Sequence, residues 1–404
     1  MPVDLSAIPP VAKRKKCPAL KRWLLTLLVI LLCGGLITLK LWPAEQATRG
    51  ALFWHCLISI PVIIWLVALG IRWLIWLVSE WQADGWDSER AADMTAEVHR
   101  GQRFLVIEAV SICLPHAAAK EALAEQFQLD QAVVLPVVVN EDTLSVSRLA
   151  RFKDLGQPMI DRAFTLLISL LEETKLNEAL AQGTRSVKIS TVIQIDTDTD
   201  VSADDLLLLK DRIENSYPAQ LSFDIAPQFS LEDIDKYLDE KPDMDELLIL
   251  SIRLLHSPAD GDAEVGVALL VSGMKKDLNL ENKPARLHRP EYTRNEATMR
   301  QSVEQALQWG GEQPDSITHL WLAGLGVENK ALTFLANNQL KFSQIDAKGS
   351  FIDIDMKSGR TGKVSPWLAI ALAAENSGKE PAPQLVMSMP DTGDLPWWLI
   401  VHPA

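Results

Sequence analysis

Cysteine is scarce in this 404-residue chain, and what there is sits in the wrong places for chemistry. The four residues are Cys17, Cys33, Cys56 and Cys113, so residues 114–404 hold none, and no pair has CxxC spacing. This excludes a disulfide framework and a structural zinc site, and it fits a reducing compartment. Basic charge is also missing from most of the chain. Residues 1–80 carry nine Lys/Arg against three Asp/Glu, and the chain total of −14 leaves residues 81–404 at −20. A surface that acidic is repelled by nucleic acid and by anionic lipid, so nucleic-acid binding and a broad lipid-contacting face are both excluded. Histidines 99, 116, 256, 288, 319 and 402 are scattered without HExxH or another ligand spacing, and they read as structural or solvated. His55 and Cys56 are adjacent, but two ligands do not make a metal site, and they read as packing residues. No cofactor and no metal are implied.

Long apolar runs are present. Residues 23–39 and 51–71 are almost wholly apolar, joined by the short polar loop 43–50. A bilayer core of roughly 30 Å needs about 20 such residues as helix. The second run meets that alone, and the first does with Lys40 and Trp42 at the interface. So short a loop turns the helices antiparallel, giving a transmembrane hairpin over residues 23–81. Lys13, Arg14, Lys15, Lys16, Lys21 and Arg22 precede it, whereas the loop carries only Lys40, Glu45 and Arg49. The Lys/Arg bias assigns both termini to the cytoplasm, with only the loop outside. A cleaved signal peptide competes with this reading, but no small-residue cleavage site follows Gly34–Gly35 and a second long run does. Trp42, Trp54, Trp73, Trp76 and Trp81 lie near the predicted helix ends, at headgroup level. Gly34–Gly35 would allow close helix approach, Pro61 would kink the second helix, and residues 72–81 read as an interfacial continuation. Residues 1–22 form a basic N-terminus, and residues 82–103 a polar, partly helical linker.

From residue 104 the pattern is that of a layered α/β domain, divided into halves 104–260 and 261–404. Apolar, β-branched runs predict strands at 104–113, 132–139, 186–195, 221–225, 247–255, 265–271, 319–325, 385–389 and 397–401. Helical patterns intervene at 159–174, 202–216, 231–238, 295–309, 329–336 and 366–374. Continuous apolar strands alternating with helices indicate a buried, mainly parallel or mixed sheet. Segments 164–171 and 367–374 are apolar nearly all round, so both are predicted to lie sandwiched between layers. Ser365-Pro366 reads as a helix start, with Ser as N-cap.

Three short motifs fail on inspection. Asp196-Thr-Asp198-Thr-Asp200 opens like a calcium loop, but Val201 replaces its glycine and Leu207 its final Glu. A helix N-terminus capped by Ser202 with Asp205 explains it better. Gly359-Arg360-Thr361-Gly362-Lys363 lacks the first glycine and the final Ser/Thr of a phosphate loop. Gly324-Leu325-Gly326 has no third glycine in register for a dinucleotide fingerprint.

From about residue 264 the chain reads strand, helix, strand, helix, strand, helix, strand, strand. Segment 299–326 (MRQSVEQALQWGGEQPDSITHLWLAGLG) and segment 357–374 (KSGRTGKVSPWLAIALAA) are similar to parts of ketoacyl synthases. The first is like the helix and strand before their His-Gly-Thr-Gly loop, the second like their Gly-His-Thr-Gly segment and the buried helix after it. Segment 243–273 resembles the join between their two halves. The resemblance, to the thiolase-like fold, covers most of residues 104–404 and implies two pseudo-repeated halves and possible homodimers. It also implies a catalytic Cys and two His, and these are absent. The Cys position falls in segment 221–238, where Ser230 is an ordinary N-cap candidate. The first His loop reads Ala323-Gly324-Leu325-Gly326. The second follows Gly359 with Arg360, which cannot act as a base near neutral pH. A fold without its site does not confer its function, so the expectation is a non-enzyme. The anchor and the missing catalytic residues also resemble type VI secretion accessory proteins of the lipase-adaptor kind. That implies an adaptor with a protein partner, an effector or a secretion component. The rival readings are a membrane-bound acyl or lipid enzyme with a pocket near Arg360, Asp353 or Asp355, and an immunity protein against a membrane-targeted toxin.

Overall fold

The computed structural model describes residues 3–403 apart from 4, 44–47, 49, 118–121, 130–134, 140–145, 154–155, 182–188, 218–220, 227, 241–245, 274–284, 326–341, 346–349 and 390–394. The chain divides into two compact units, Asp4–Val98 and His99–Ala404.

The first unit is built on two helices long and apolar enough to cross a membrane, α1 (Leu20–Leu41) and α2 (Ala51–Gly101). Residues 72–81 and the segment read as a linker continue α2 as far as Gly101. Pro61 acts as expected on its surroundings. Its missing N–H leaves a carbonyl of the preceding turn without a donor. The helix answers with a π-turn over His55–Ser59, in which the Ile60 amide bonds His55 O. The Thr38 hydroxyl, on α1, donates to Gly34 O at 2.8 Å and lies 3.4 Å from Cys56 O. The helices meet closely here, since a Cβ on Gly34 would fall 2.6 Å from Pro61 Cγ. Before α1 the chain runs back along α2. The Trp76 and Trp86 indoles donate to Lys15 O and Pro10 O, and Arg14 pairs with Glu80, Asp84 and Asp87.

The second unit begins with β1 (Phe104–Cys113), α3 (Leu123–Gln128), β2 (Val137–Val139), β3 (Val146–Arg148), α4 (Met159–Leu171), α5 (Thr174–Ala181), β4 (Ile189–Asp196), α6 (Ala203–Ser216), β5 (Leu221–Ile225), α7 (Leu231–Glu240), β6 (Glu246–Arg253) and β7 (Val265–Ser272). It continues with β8 (Ala285–His288), β9 (Glu291–Tyr292), α8 (Met299–Gly310), β10 (His319–Ala323), β11 (Phe351–Asp353), α9 (Ile354–Ser358), α10 (Ser365–Ser377), β12 (Gln384–Ser388) and β13 (Trp397–Pro403). The main sheet runs β5-β4-β6-β7-β1-β8-β13-β12-β10-β11, with β9 on β13. Read inward from either end, it shows three parallel strands and then two antiparallel ones. The halves are therefore topological repeats, joined where β1 pairs β8. Since β7 pairs with β6 and β1, the join falls between Ser272 and Ala285, later than the 260/261 boundary read from sequence.

Strand alternation sorts the core into layers. Leu247 and Ile249 of β6, Trp321 of β10 and Leu399 of β13 face one cluster with α7 and α10, so these two helices lie between the half-sheets. Leu248 and Leu250 face α4, α5 and α6 on one outer side. Leu322 and Trp398 face α8 on the other. The result is five layers, helix on sheet on helix on sheet on helix. Helix α10 is buried from Ser365 to Ala374, as its all-round apolar sequence predicts. Segment 164–171 is a correction. It belongs to α4, an outer-layer helix with one face on the sheet, and Arg212 roofs Phe164 at 4.3 Å from the ring centroid, covering apolar surface that would otherwise need a second layer. Helix 159–174 also breaks after Leu171, and α5 follows separately. Of the strand expected at 132–139, Val137–Val139 forms, paired with β3 outside the main sheet. The helix expected at 329–336 lies outside the described residues.

Candidate functional site

The N-termini of the two central helices meet. Phe229, just before α7, stacks on Trp367 in the first turn of α10, with ring centroids 5.5 Å apart and planes 21° from parallel. Trp367 is fully buried. Gln194 of β4 ties the pair together, since its amide nitrogen donates to Phe229 O at 2.8 Å and its oxygen accepts from Trp367 Nε1 at 2.9 Å. The Ser251 hydroxyl donates to the same oxygen at 2.8 Å. Buried hydrogen-bonded networks make a rigid arrangement. The space between the helix ends is thus filled by two rings and a hydrogen-bonded amide.

The residues singled out from sequence lie around α10's first turn. Ser230 opens α7, and its hydroxyl and amide both donate to Asp233, so it serves as a helix terminus. Gly324, at the end of β10, has φ +76°, and a Cβ there would fall 1.8 Å from Met389 O and 3.0 Å from Ser365 Oγ. Gly326 lies outside the described residues. Gly359 has φ +86° and turns the chain into Arg360. The Arg360 amide donates to Gly261 O at 2.8 Å, and its guanidinium reaches Asp262 at 3.1 Å and Asp260 O at 2.8 Å. Arg253 links Asp262 to Asp196, at 3.5 and 2.6 Å. Arg360 is thus part of an ion-pair staple between loops. Gly324→Ala combines left-handed strain of about 1–2 kcal/mol with a backbone clash. We expect it to lower the denaturation midpoint of the full-length protein, measured in detergent, by more than that strain alone.

The rejected motifs have structural uses. Asp205 N donates to the Ser202 side chain at 3.1 Å, which is the cap read from sequence. Asp198 accepts the amides of His256 and Ser257, both at 2.7 Å. Asp196 accepts the Lys363 amide at 3.1 Å, a donor that a phosphate loop would offer to phosphate. No group of three or more His, Cys, Asp or Glu placed to hold a metal occurs among the described residues. Ser365 does not cap as predicted. The helix starts at Ser365 itself after the turn Gly362–Val364, and its hydroxyl has no hydrogen-bond partner among the described residues.

No protein-family model matches this chain, and no curated protein matches it. Among solved structures, the ishigamide ketosynthase/chain length factor aligns with a TM-score of 0.50 and 14% identity, over 74% of this chain and 99% of that one. The PfaC keto synthase-chain length factor aligns with a TM-score of 0.50 and 9% identity, over 75% of this chain and 43% of that one. The fold is thiolase-like.

Two features of the thiolase-like domain carry no sequence signal. One is a fully buried ion pair. Glu264 receives Arg162 on both oxygens at 2.7 Å and accepts the amides of Leu255 and Phe152. The other is a cluster around Arg100 and Gly101, at the start of the second unit. Arg289 pairs with Asp235 and Asp239 of α7 and donates to Arg100 O, while Arg100 itself pairs with Asp239. Gly101 presses on Trp309, whose indole donates to Glu291 at 3.2 Å. Burial pushes Glu291 up to about 7 from its ordinary 4.5. The unfolded chain therefore ionises this carboxyl first. Its contribution to stability is full below pH 4.5, falls as the pH rises to 7 and is constant above. We expect Glu291→Gln to flatten that part of the stability–pH curve and to exceed the wild type above pH 7, as urea titrations across this range would record.

Proposed function

We propose that this protein is a non-enzymatic adaptor of the bacterial inner membrane. The hairpin spans the bilayer, both termini are cytoplasmic, and the thiolase-like domain binds a protein partner. The observation that carries this reading is the Phe229–Trp367 stack with Gln194, which fills the space where the central helices meet. The lack of cysteine beside Ser230 and the pairing of Arg360 with Asp262 support it. Anchoring would raise the domain's effective concentration near membrane partners. The acidic chain favours a basic partner. The likeness to type VI secretion accessory proteins suggests an effector or a loading component as that partner.

The test is affinity capture of the full-length protein from detergent-solubilised native membranes, with mass spectrometry of what is retained. A specific secretion component or toxin supports the adaptor. Recovery of the protein alone, with an acyl ligand, overturns it in favour of the membrane-bound enzyme. One open cavity bears on that rival. It is lined by Cys113, Phe152, Arg162, Leu166 and Leu254, and it lies on the outer face against α4 rather than around Arg360, Asp353 or Asp355. A toxin partner would leave the immunity reading open, and a deletion strain decides it. Self-poisoning indicates immunity, whereas lost delivery indicates the adaptor.

A further inference from the structure

We infer that the basic end of the helical hairpin binds the phosphate headgroups of anionic phospholipids. The inference rests on the membrane-spanning reading above and names a lipid partner for that anchor. Two hydrogen bonds fix the level of the basic residues. Trp65 Nε1 donates to Trp23 O at 2.9 Å, and Trp76 Nε1 donates to Lys15 O at 3.2 Å. The chain from residue 15 to 23 therefore lies beside residues 65–76 of α2, a rise of about 16 Å. Within this zone stand Lys15, Lys16, Lys21 and Arg22, all exposed, with Arg72 as the single charge that α2 contributes. Trp73, 54% exposed, and Trp76 lie at the same level.

Arg14 provides an internal contrast. It is engaged by Glu80, Asp84 and Asp87, at 3.1, 2.8 and 3.1 Å. Lys15, Lys16, Lys21, Arg22 and Arg72 have no ion-pair partner among the described residues. Five uncompensated cations beside two indoles, at the end of two apolar helices, match a monoanionic phosphodiester at the headgroup level. The acidic remainder of the chain repels the same lipids, so the attraction is confined to this collar.

The test uses full-length protein in nanodiscs of phosphatidylcholine with one-fifth phosphatidylglycerol, with the lipids retained on gentle release identified by native mass spectrometry. Enrichment of phosphatidylglycerol is expected. It should fall about fivefold for each basic residue removed across K15Q, K16Q, K21Q, R22Q and R72Q. R14Q should leave it unchanged. Equal retention of the two lipids, or enrichment indifferent to the five substitutions, overturns the inference. Failure of the spanning reading is separate, since the protein would then be released from native membranes by alkaline carbonate.

Discussion

Replacing Arg162 with Met should cost the domain up to about 3–5 kcal/mol, because the wholly buried Glu264 would lose its bidentate partner and keep only Arg151, at 3.7 Å, as a cation. Equilibrium urea unfolding of the full-length protein in detergent, followed by tryptophan fluorescence, measures the loss. Combining R162M with Glu264→Leu separates the penalty of a stranded charge from the worth of the pair. Removing both charges should recover part of the loss. It should not recover all of it, because the amides of Leu255 and Phe152 would lose their acceptor. Full recovery would mean that these amides find other partners. No loss in the single variant would mean that Arg151 takes over the pairing or that water reaches Glu264.

Trp367→Ala should cost a similar amount, about 3–5 kcal/mol. It removes a fully buried indole, unstacks Phe229 and leaves the Gln194 oxygen with Ser251 as its remaining donor. The functional readout is more informative than the stability. If the filled space is what silences the domain, the variant opens a cavity between the central helices and should take up an apolar fluorescent probe that the wild type ignores. It should gain no acyl-transfer activity, since no cysteine stands at Ser230 and no histidine at Gly324 or Arg360. Probe binding by the wild type would show that an internal pocket already exists there.

Much of the architecture is legible in the sequence because its signals are local. The hairpin helices follow from apolar runs, and β4, β6, β7, β10 and β12 from continuous β-branched and leucine-rich stretches. What escapes notice is short or remote. β8, β9 and β11 have four, two and three residues, too few to show a period. The contacts that define the candidate site are long-range. Gln194 and Trp367 are separated by 173 positions, and Arg162 and Glu264 by 102. The sequence does show that residues 221–238 hold no cysteine and that glycine and arginine stand at positions 324 and 360. It does not show that an aromatic pair fills the space, because Phe229 and Trp367 look like ordinary core residues until the two helices are brought end to end. The misplaced layer of α4 has a similar cause. An all-round apolar stretch does not reveal that Arg212, from another helix, will cover its outer face.

The pairing of β1 has a consequence for how the chain is made. This strand leaves the ribosome near the start of the domain, yet its partners are β7 and β8, whose pairing with it extends to His288. Until then its backbone donors and acceptors have no partner in the finished sheet, and loop closure over so many residues is slow. The first half can assemble its parallel strands β4, β5 and β6 earlier, but β1 joins them only through β7 and meets the second half only through β8. A nascent chain held at this stage exposes a ten-residue, largely apolar strand, which is a template for misassociation. The seam that joins the repeats therefore stays open while residues 114–284 are made, and that interval, rather than the end of synthesis, is when this strand is most open to misassociation.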